Sequence, residues 1–202
     1  VLAPLEQQTH SEVIALLDNL PEAQQRQLTD AMKRIQALLQ GTAPSYLLRD
    51  PQPGDMGVVV QQQTALYARE YGWNWEFEAL VAETVAKYLR AFDPTCERCW
   101  IAEKDGEVVG SVFVIRHGET TAQLRMLYVD ASARGMGIGQ RLVDECVRFA
   151  RQVGYQRMQL WTVDILGDAR KLYQKAGFAL VEEETIDSFG KSLVSQTWAL
   201  TL

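Results

Sequence analysis

Apolar residues recur along the chain in two regimes, and the change falls near residue 42. Before it, Val13, Ile14, Leu16, Leu17 and Leu20 form one short cluster, and Leu28, Met32, Ile35 and Leu39 form a second at 4-3-4 spacing. That spacing lines the second set along one face of a helix. Asn19-Leu20-Pro21 reads as the joint between two helices, with Pro21 at a first helical position, where its missing N–H costs nothing, and Gly41 as the stop. The stripe over 21–40 is narrow and flanked by Gln, Arg, Lys and Asp. Such a helix needs an apolar partner, either another helix or the following domain. The run 41-GTAPS-45 reads as a linker.

From residue 46 the pattern alternates between periods of two and of three to four. It predicts a strand at 46-YLLR-49, a loop through Pro51 and Pro53, a helix over about 57–70, and a second over about 77–92 carrying Leu80, Val81, Val85 and Leu89. The runs 98-RCWIAEK-104 and 107-EVVGSVFVIR-116 flank Asp105-Gly106, a strong hairpin signal. A strand at 122-AQLRMLYV-129 then leads into a glycine-rich loop and a helix to about 153. After Gly154 come a strand at 156–162, a helix over about 167–176, and strands at 178–184 and 193–201. The fold class is α/β (α+β): a mixed sheet, antiparallel in its first half, with helices on its faces.

Composition narrows the classes of function. The 202 residues are 47% apolar and 23% charged, enough to bury a sizeable core. No apolar run approaches the roughly 20 residues of a membrane span, and the start VLAPLEQQTH lacks the charged and apolar regions of a signal peptide, so a soluble cytoplasmic protein is expected. The chain begins with Val1 rather than Met, as a piece of a longer protein would. A net charge of −6 argues against nucleic-acid binding through these residues. Of the three cysteines, Cys96 and Cys99 form one CxxC. With only His10 and His117 elsewhere, no second ligand pair completes a zinc site, so ordinary reduced thiols and no metal are expected.

The loop carries the chemistry. Gly135, Gly137 and Gly139 fall just before and within the first turn of the predicted helix. A helix start stripped of side chains presents free N–H donors and the positive end of its dipole, which suits a phosphate or pyrophosphate. A Walker loop would continue as Gly-Lys-Ser/Thr, but Gly139 is followed by Gln140-Arg141. A dinucleotide fingerprint would need glycine at 140 or 142, which are Gln and Leu.

What remains, Arg134-Gly135-Met136-Gly137-Ile138-Gly139 between a strand and a helix, resembles the R-x-x-G-x-G run of the GNAT family of acetyl-CoA-dependent N-acetyltransferases. A second anchor, 172-LYQKAGF-178, is similar to that family's LYxKxGF ending of the last core helix, and the likeness covers roughly residues 45 to 202. The resemblance implies acetyl-CoA as cosubstrate and an amine acceptor. It also implies backbone contacts to coenzyme A from Leu127, Tyr128 and Val129 and from Arg134, Gly135, Met136, Gly137, Ile138, Gly139 and Gln140, with a splay after the preceding strand for the pantetheine arm. Tyr173 matches the family's tyrosine that protonates the departing thiolate; its other reading is a ring packed on the sheet.

The attacking amine must be neutral, which for a lysine-like group costs roughly 4–5 kcal/mol at neutral pH. A base or a water chain therefore helps. Many family members carry a carboxylate where this chain has Gln123, and an asparagine where it has Leu166. Glu70, Glu78 and Glu83 are the remaining candidates, each equally readable as a solvated helix carboxylate. Tyr67, Tyr71, Trp73 and Trp75 read either as the acceptor wall or as core.

The segment 20-LPEAQQRQLTDAMKRIQALLQ-40 resembles the C-terminal dimerisation helices of MarR-type transcriptional regulators. That resemblance implies a homodimer and DNA contact through a region upstream of Val1. Two functions follow: an N-acetyltransferase acting by direct amine attack in a ternary complex, or a regulatory module that binds acetyl-CoA without turnover. The expected organisation is a helical segment over 1–42 and an acetyltransferase domain over 45–202.

Overall fold

A computed structural model describes residues 46–202, together with Pro21, Gln24, Gln25, Leu28, Ala31, Met32, Ile35, Gln36 and Leu39. The chain divides into two compact units, residues 1–45 and residues 46–202. In the first, the described residues from Gln24 to Leu39 are helical. Leu28, Met32, Ile35 and Leu39 are all exposed, Leu39 by 84%. The expected helix over Val13–Leu20 and the linker 41–45 lie outside the described residues.

The second unit runs β1 (Leu47–Arg49), α1 (Asp55–Tyr71), α2 (Trp75–Ala91), β2 (Arg98–Lys104), β3 (Glu107–Arg116), β4 (Thr121–Val129), a 3-10 turn (Ala131–Ala133), α3 (Ile138–Val153), β5 (Arg157–Val163), α4 (Gly167–Lys175), β6 (Ala179–Ser188) and β7 (Lys191–Thr201). Local chemistry sets the boundaries. Asn74 caps α2 by accepting from the Glu76 amide, and Gly72 and Gly154 close α1 and α3 in left-handed conformation. Asp105 and Gly106 both have positive φ, the geometry of the tightest hairpin turn.

Among the described residues, seven strands form one sheet in the order β1-β2-β3-β4-β5-β7-β6. Every neighbouring pair is antiparallel except β4 with β5. The sheet is covered on both sides. Along β2 and β3, Trp100, Ala102, Val112 and Val114 face the core that holds Leu142, Val143 and Cys146 of α3. The alternate residues Cys99, Ile101 and Phe113 pack with Met56 and Val59 of α1 and Val85 and Tyr88 of α2. Burying a side chain such as Ile101, Phe113 or Leu142 stabilises by about 1.5–3 kcal/mol. Strand β6 is almost wholly exposed at the sheet edge, where Glu182, Glu183 and Glu184 discourage edge pairing.

The cysteines are free and buried. Cys96 packs in the α3-side core and Cys99 in the opposite one, so the CxxC spacing does not bring the two thiols to one site. Burial raises the thiol pKa of Cys99 and Cys146. Among the described residues, no helix is long and apolar enough to cross a membrane.

Candidate active site

Strands β4 and β5 pair only from Thr121 with Arg157 to Leu124 with Leu160, although β4 continues to Val129 and β5 to Val163. The cause is visible in β4. Opposite Val112 of β3, it carries two residues, Met126 and Leu127, a bulge with Met126 at φ 55°. The Ser111 hydroxyl donates to the Met126 carbonyl at 3.3 Å. Bulge and twist turn the end of β4 away from β5, and the β5-facing edge of residues 125–129 is left without a strand partner.

The glycine loop closes one end of this split. Asp130 accepts from the Ser132 amide at 2.8 Å and from the Tyr128 hydroxyl at 2.9 Å, fixing the 3-10 turn that leads into the loop. Gly137 is the N-cap of α3 at φ 77°, and no side chain caps the helix. A Cβ on Gly135 or Gly137 would meet nothing within 4 Å, so open space fronts the exposed amides. Gly139 has a different role. A Cβ there would lie 2.8 Å from Leu172 Cδ1, so this glycine lets α4 pack against the first turn of α3.

Three neighbouring spaces share walls along the split. A cavity of about 470 Å³ lies along the loop, lined by Leu127, Tyr128, Val129, Arg134, Gly135, Gly137, Ile138, Gly139 and Gln140, with Tyr71 and Lys171 at its sides. Tyr67, Leu127, Leu166 and Ala169 also wall a narrow central space of about 80 Å³, whose other walls include Gln63, Trp73, Met126, Thr162 and Tyr173. Leu80, Arg125 and Trp161 stand between this space and an outer pocket of about 490 Å³ that they also line, with Gln123, Gln159, Phe189 and Thr197.

Tyr173 is 5% exposed and lines the central space, and its hydroxyl has no hydrogen-bond partner among the described residues. Burial, reinforced by Tyr67, pushes its pKa far above the ordinary tyrosine value, so it stays protonated. Gln63 Oε1, Trp73 Nε1 and Thr162 Oγ1, also on these walls, are buried without a partner. Tyr67, Trp73, Phe77 and Phe189 stack at centroid separations of 4.6–5.2 Å, so this cluster is at once core and wall.

Several sequence expectations take a different form. The Met136 side chain packs on the α3-side core, so the contact expected of this residue is one of backbone alone. Glu70 is engaged by Arg134, whose Nη2 donates to both its carboxylate oxygens at 2.8 Å, and it lines none of the three spaces. Glu78, Glu83 and Trp75 are exposed and line none of the three spaces. Leu166 stands at the N-cap of α4, which no side chain caps. Arg125, Trp161, Thr162 and Gln63 line the split and escaped the sequence reading; a charge inside the apolar run 122-AQLRMLYV-129 was the available signal.

The model of the Acetyltransferase (GNAT) family matches residues 60–178. An uncharacterized N-acetyltransferase of Schizosaccharomyces pombe is 30% identical over 130 residues, 63% of this chain and 77% of that protein. An N-acetylaspartate synthetase of Danio rerio is 35% identical over 104 residues, and human N-acetyltransferase 8B is 32% identical over 112. This chain spans 36% and 49% of the length of those two, and the matches cover 51% and 52% of it. Among solved structures, the acetyltransferase of Streptococcus agalactiae superposes with a TM-score of 0.65 at 17% identity over 78% of this chain and 99% of that one. The yncA protein of Salmonella typhimurium, with its cofactor acetyl-CoA, gives 0.64 at 18% over 78% and 94%.

Proposed function

Because the chain belongs to the GNAT acetyltransferase family, we propose that residues 46–202 transfer an acetyl group from acetyl-CoA to a primary amine by direct attack in a ternary complex. The observation that carries this reading is the convergence of an uncapped glycine loop and a partnerless buried tyrosine on one split between β4 and β5. The fit to acetyl-CoA is good in three respects: the first-turn amides of α3 are uncapped, the space before Gly135 and Gly137 is open, and a cavity of about 470 Å³ beside them shares Tyr67, Leu127, Leu166 and Ala169 with the space that Tyr173 lines.

Acetyl-CoA supplies the activated acyl group as its thioester. The amides of residues 135–140 receive the pyrophosphate, with the helix dipole adding to their hydrogen bonds. Leu127, Tyr128 and Val129 line the course of the pantetheine arm, where the unpaired edge of β4 offers backbone groups. Tyr173, kept protonated by burial, gives its hydroxyl proton to the departing sulfur. The amine's own proton leaves to solvent through water hydrogen-bonded to Gln63 Oε1 and Thr162 Oγ1, and solvent returns a proton to the Tyr173 oxygen. A space of about 80 Å³ holds several waters, and these orphaned atoms need partners.

A second reading is acetyl-CoA sensing without turnover. Gln123 favours it, since an amide stands where a carboxylate base would help. Steady-state release of free coenzyme A with a panel of primary amines decides between them. Amine-dependent release supports the transferase, and calorimetric binding of acetyl-CoA without such release makes the domain a sensor. For residues 21–40 we infer self-association, the role of the MarR-type helices they resemble; the exposed stripe of Leu28, Met32, Ile35 and Leu39 supports it.

A further inference from the structure

The outer pocket contains one charged side chain, Arg125. It is half-buried at the point where β4 parts from β5, and it borders both the central space and the outer pocket. A guanidinium has five N–H donors. Arg125 makes one hydrogen bond, from Nη2 to Thr84 Oγ1 at 3.3 Å, and Thr84 in turn donates to the Leu80 carbonyl at 2.7 Å. No aspartate or glutamate among the described residues lies within ion-pair distance of it. Arg49 and Arg134, also partly shielded, are each paired, with Asp55 and Glu103 and with Glu70.

Burial lowers the pKa of Arg125, and no neighbouring carboxylate offsets this. A cation held out of water without a counter-ion is costly, and the cost is recovered when an anion arrives. The polar side chains around it are neutral. Gln123 and Gln159 face each other across the β4–β5 register one rung before pairing ends, and Thr197 lies beyond them. Gln123 is two residues from Arg125, hence on the same side of β4. A carboxylate at position 123 would compensate Arg125 and repel an incoming anion; glutamine does neither. In a chain of net charge −6, this acid-free pocket keeps an open positive site.

We propose that the acceptor is a small amino acid, an amine that carries a carboxylate, and that Arg125 binds that carboxylate while the amine points into the central space. The proposal rests on the acetyltransferase reading above. A planar guanidinium fork receives a carboxylate through two parallel hydrogen bonds, which fixes orientation as well as charge. Trp161 forms the adjoining wall, held by its Nε1 donating to Ser195 Oγ at 2.6 Å.

The test uses the full chain, acetyl-CoA and release of free coenzyme A. The probes are the twenty common α-amino acids, the carboxamide of each one accepted, and spermidine and tyramine as amines without a carboxylate. At least one amino acid is expected to be acetylated with kcat/KM about 100-fold above its carboxamide, less than the roughly 10⁴-fold of a fully buried polar site because Arg125 is half-buried and water reaches it when it is unpaired. Arg125→Gln should collapse that ratio towards one, and Arg125→Lys, which keeps the charge but not the fork, should give an intermediate ratio. Equal turnover of acid and carboxamide by the wild-type chain overturns the proposal, as does acetylation of spermidine or tyramine but of no amino acid. Calorimetric binding of acetyl-CoA with no acceptor consumed overturns the proposal and leaves cosubstrate binding standing. Failure to bind acetyl-CoA removes the acetyltransferase reading itself.

Discussion

Arg134 Nη2 lies 2.8 Å from both carboxylate oxygens of Glu70, so the loop that opens α3 is tied to α1 across 64 residues of chain. The pair is partly solvated, with side-chain exposures of 49% and 25%, so its direct contribution to stability is below about 1 kcal/mol. Its consequence is positional: it holds the arginine of the R-x-x-G-x-G run against a helix rather than leaving it free in solvent.

Glu70→Gln separates an anchor from a base. Loss of the ion pair loosens the loop, so the KM for acetyl-CoA should rise several-fold while kcat stays within about threefold. Loss of a general base would instead lower kcat by about 10²- to 10⁴-fold. Steady-state kinetics with acetyl-CoA varied at saturating amine reads the difference.

At Gly137 the backbone itself is the constraint. With φ at 77° and nothing within 4 Å of a Cβ, Gly137→Ala meets no clash, and its cost is that of a left-handed residue, about 1–2 kcal/mol. Gly137→Val adds branched bulk in front of the amides. Calorimetry should find acetyl-CoA affinity weakened by Ala and abolished by Val, in proteins whose circular dichroism is unchanged.

Two of the hairpin turns, β2–β3 and β6–β7, show what sequence could and could not reveal. Asp105-Gly106 and Phe189-Gly190 adopt the same pair of positive φ values, 52° and 84° against 57° and 77°. The first was legible because aspartate tolerates the left-handed region; phenylalanine rarely enters it, so 185–192 reads as a gap where the strands in fact run to Ser188 and restart at Lys191. Tyr173 and the loop were legible as short local motifs. The Glu70–Arg134 pair was not, and Arg125 showed only as a charge inside an apolar run, because partners distant in sequence and the parting of β4 from β5 decide their surroundings.

The junction of β1 with α1 predicts acid sensitivity. Asp55, 7% exposed, accepts from Arg49 Nη1 at 2.5 Å and from the Gln52 amide at 2.6 Å, and the bond from Arg49 lowers its pKa. A carboxylate with a depressed folded-state pKa contributes fully above its unfolded value, about 3.9, and loses that contribution as pH falls through the folded value. Asp55→Asn should cost about 2 kcal/mol at pH 7. The gap between wild-type and variant unfolding midpoints should narrow steadily below about pH 4.

Self-association through residues 21–40 follows from the exposed stripe. Replacing Met32 and Ile35 together by glutamate places charge in the seam, so light scattering should report a shift from dimer to monomer. Acetyl-CoA affinity should remain at the wild-type value, because the loop and the split lie in the second unit. A monomeric wild-type chain at high concentration removes the idea.

Tyr173 gives the sharpest test of the chemistry. Its ring packs edge-on to Phe178 at 6.1 Å, and the Phe178 amide donates to the Tyr173 carbonyl at 3.0 Å, so the motif 172-LYQKAGF-178 fixes the ring independently of the hydroxyl. Tyr173→Phe therefore keeps the packing and removes one O–H that bonds to nothing else among the described residues. Stability and acetyl-CoA affinity should be nearly unchanged, while kcat falls by about 10²- to 10⁴-fold if the hydroxyl is the general acid. The lower end is expected, because a thiol with pKa near 8.5 leaves fairly well without help. The raised pKa of Tyr173 also fixes a pH signature. The group stays protonated throughout the working range, so the wild-type profile should show no alkaline fall assignable to it, and the variant's profile should keep the same shape at a lower level. An unchanged kcat, with chemistry shown to be rate-limiting, would reduce Tyr173 to a packing residue and leave solvent as the proton source.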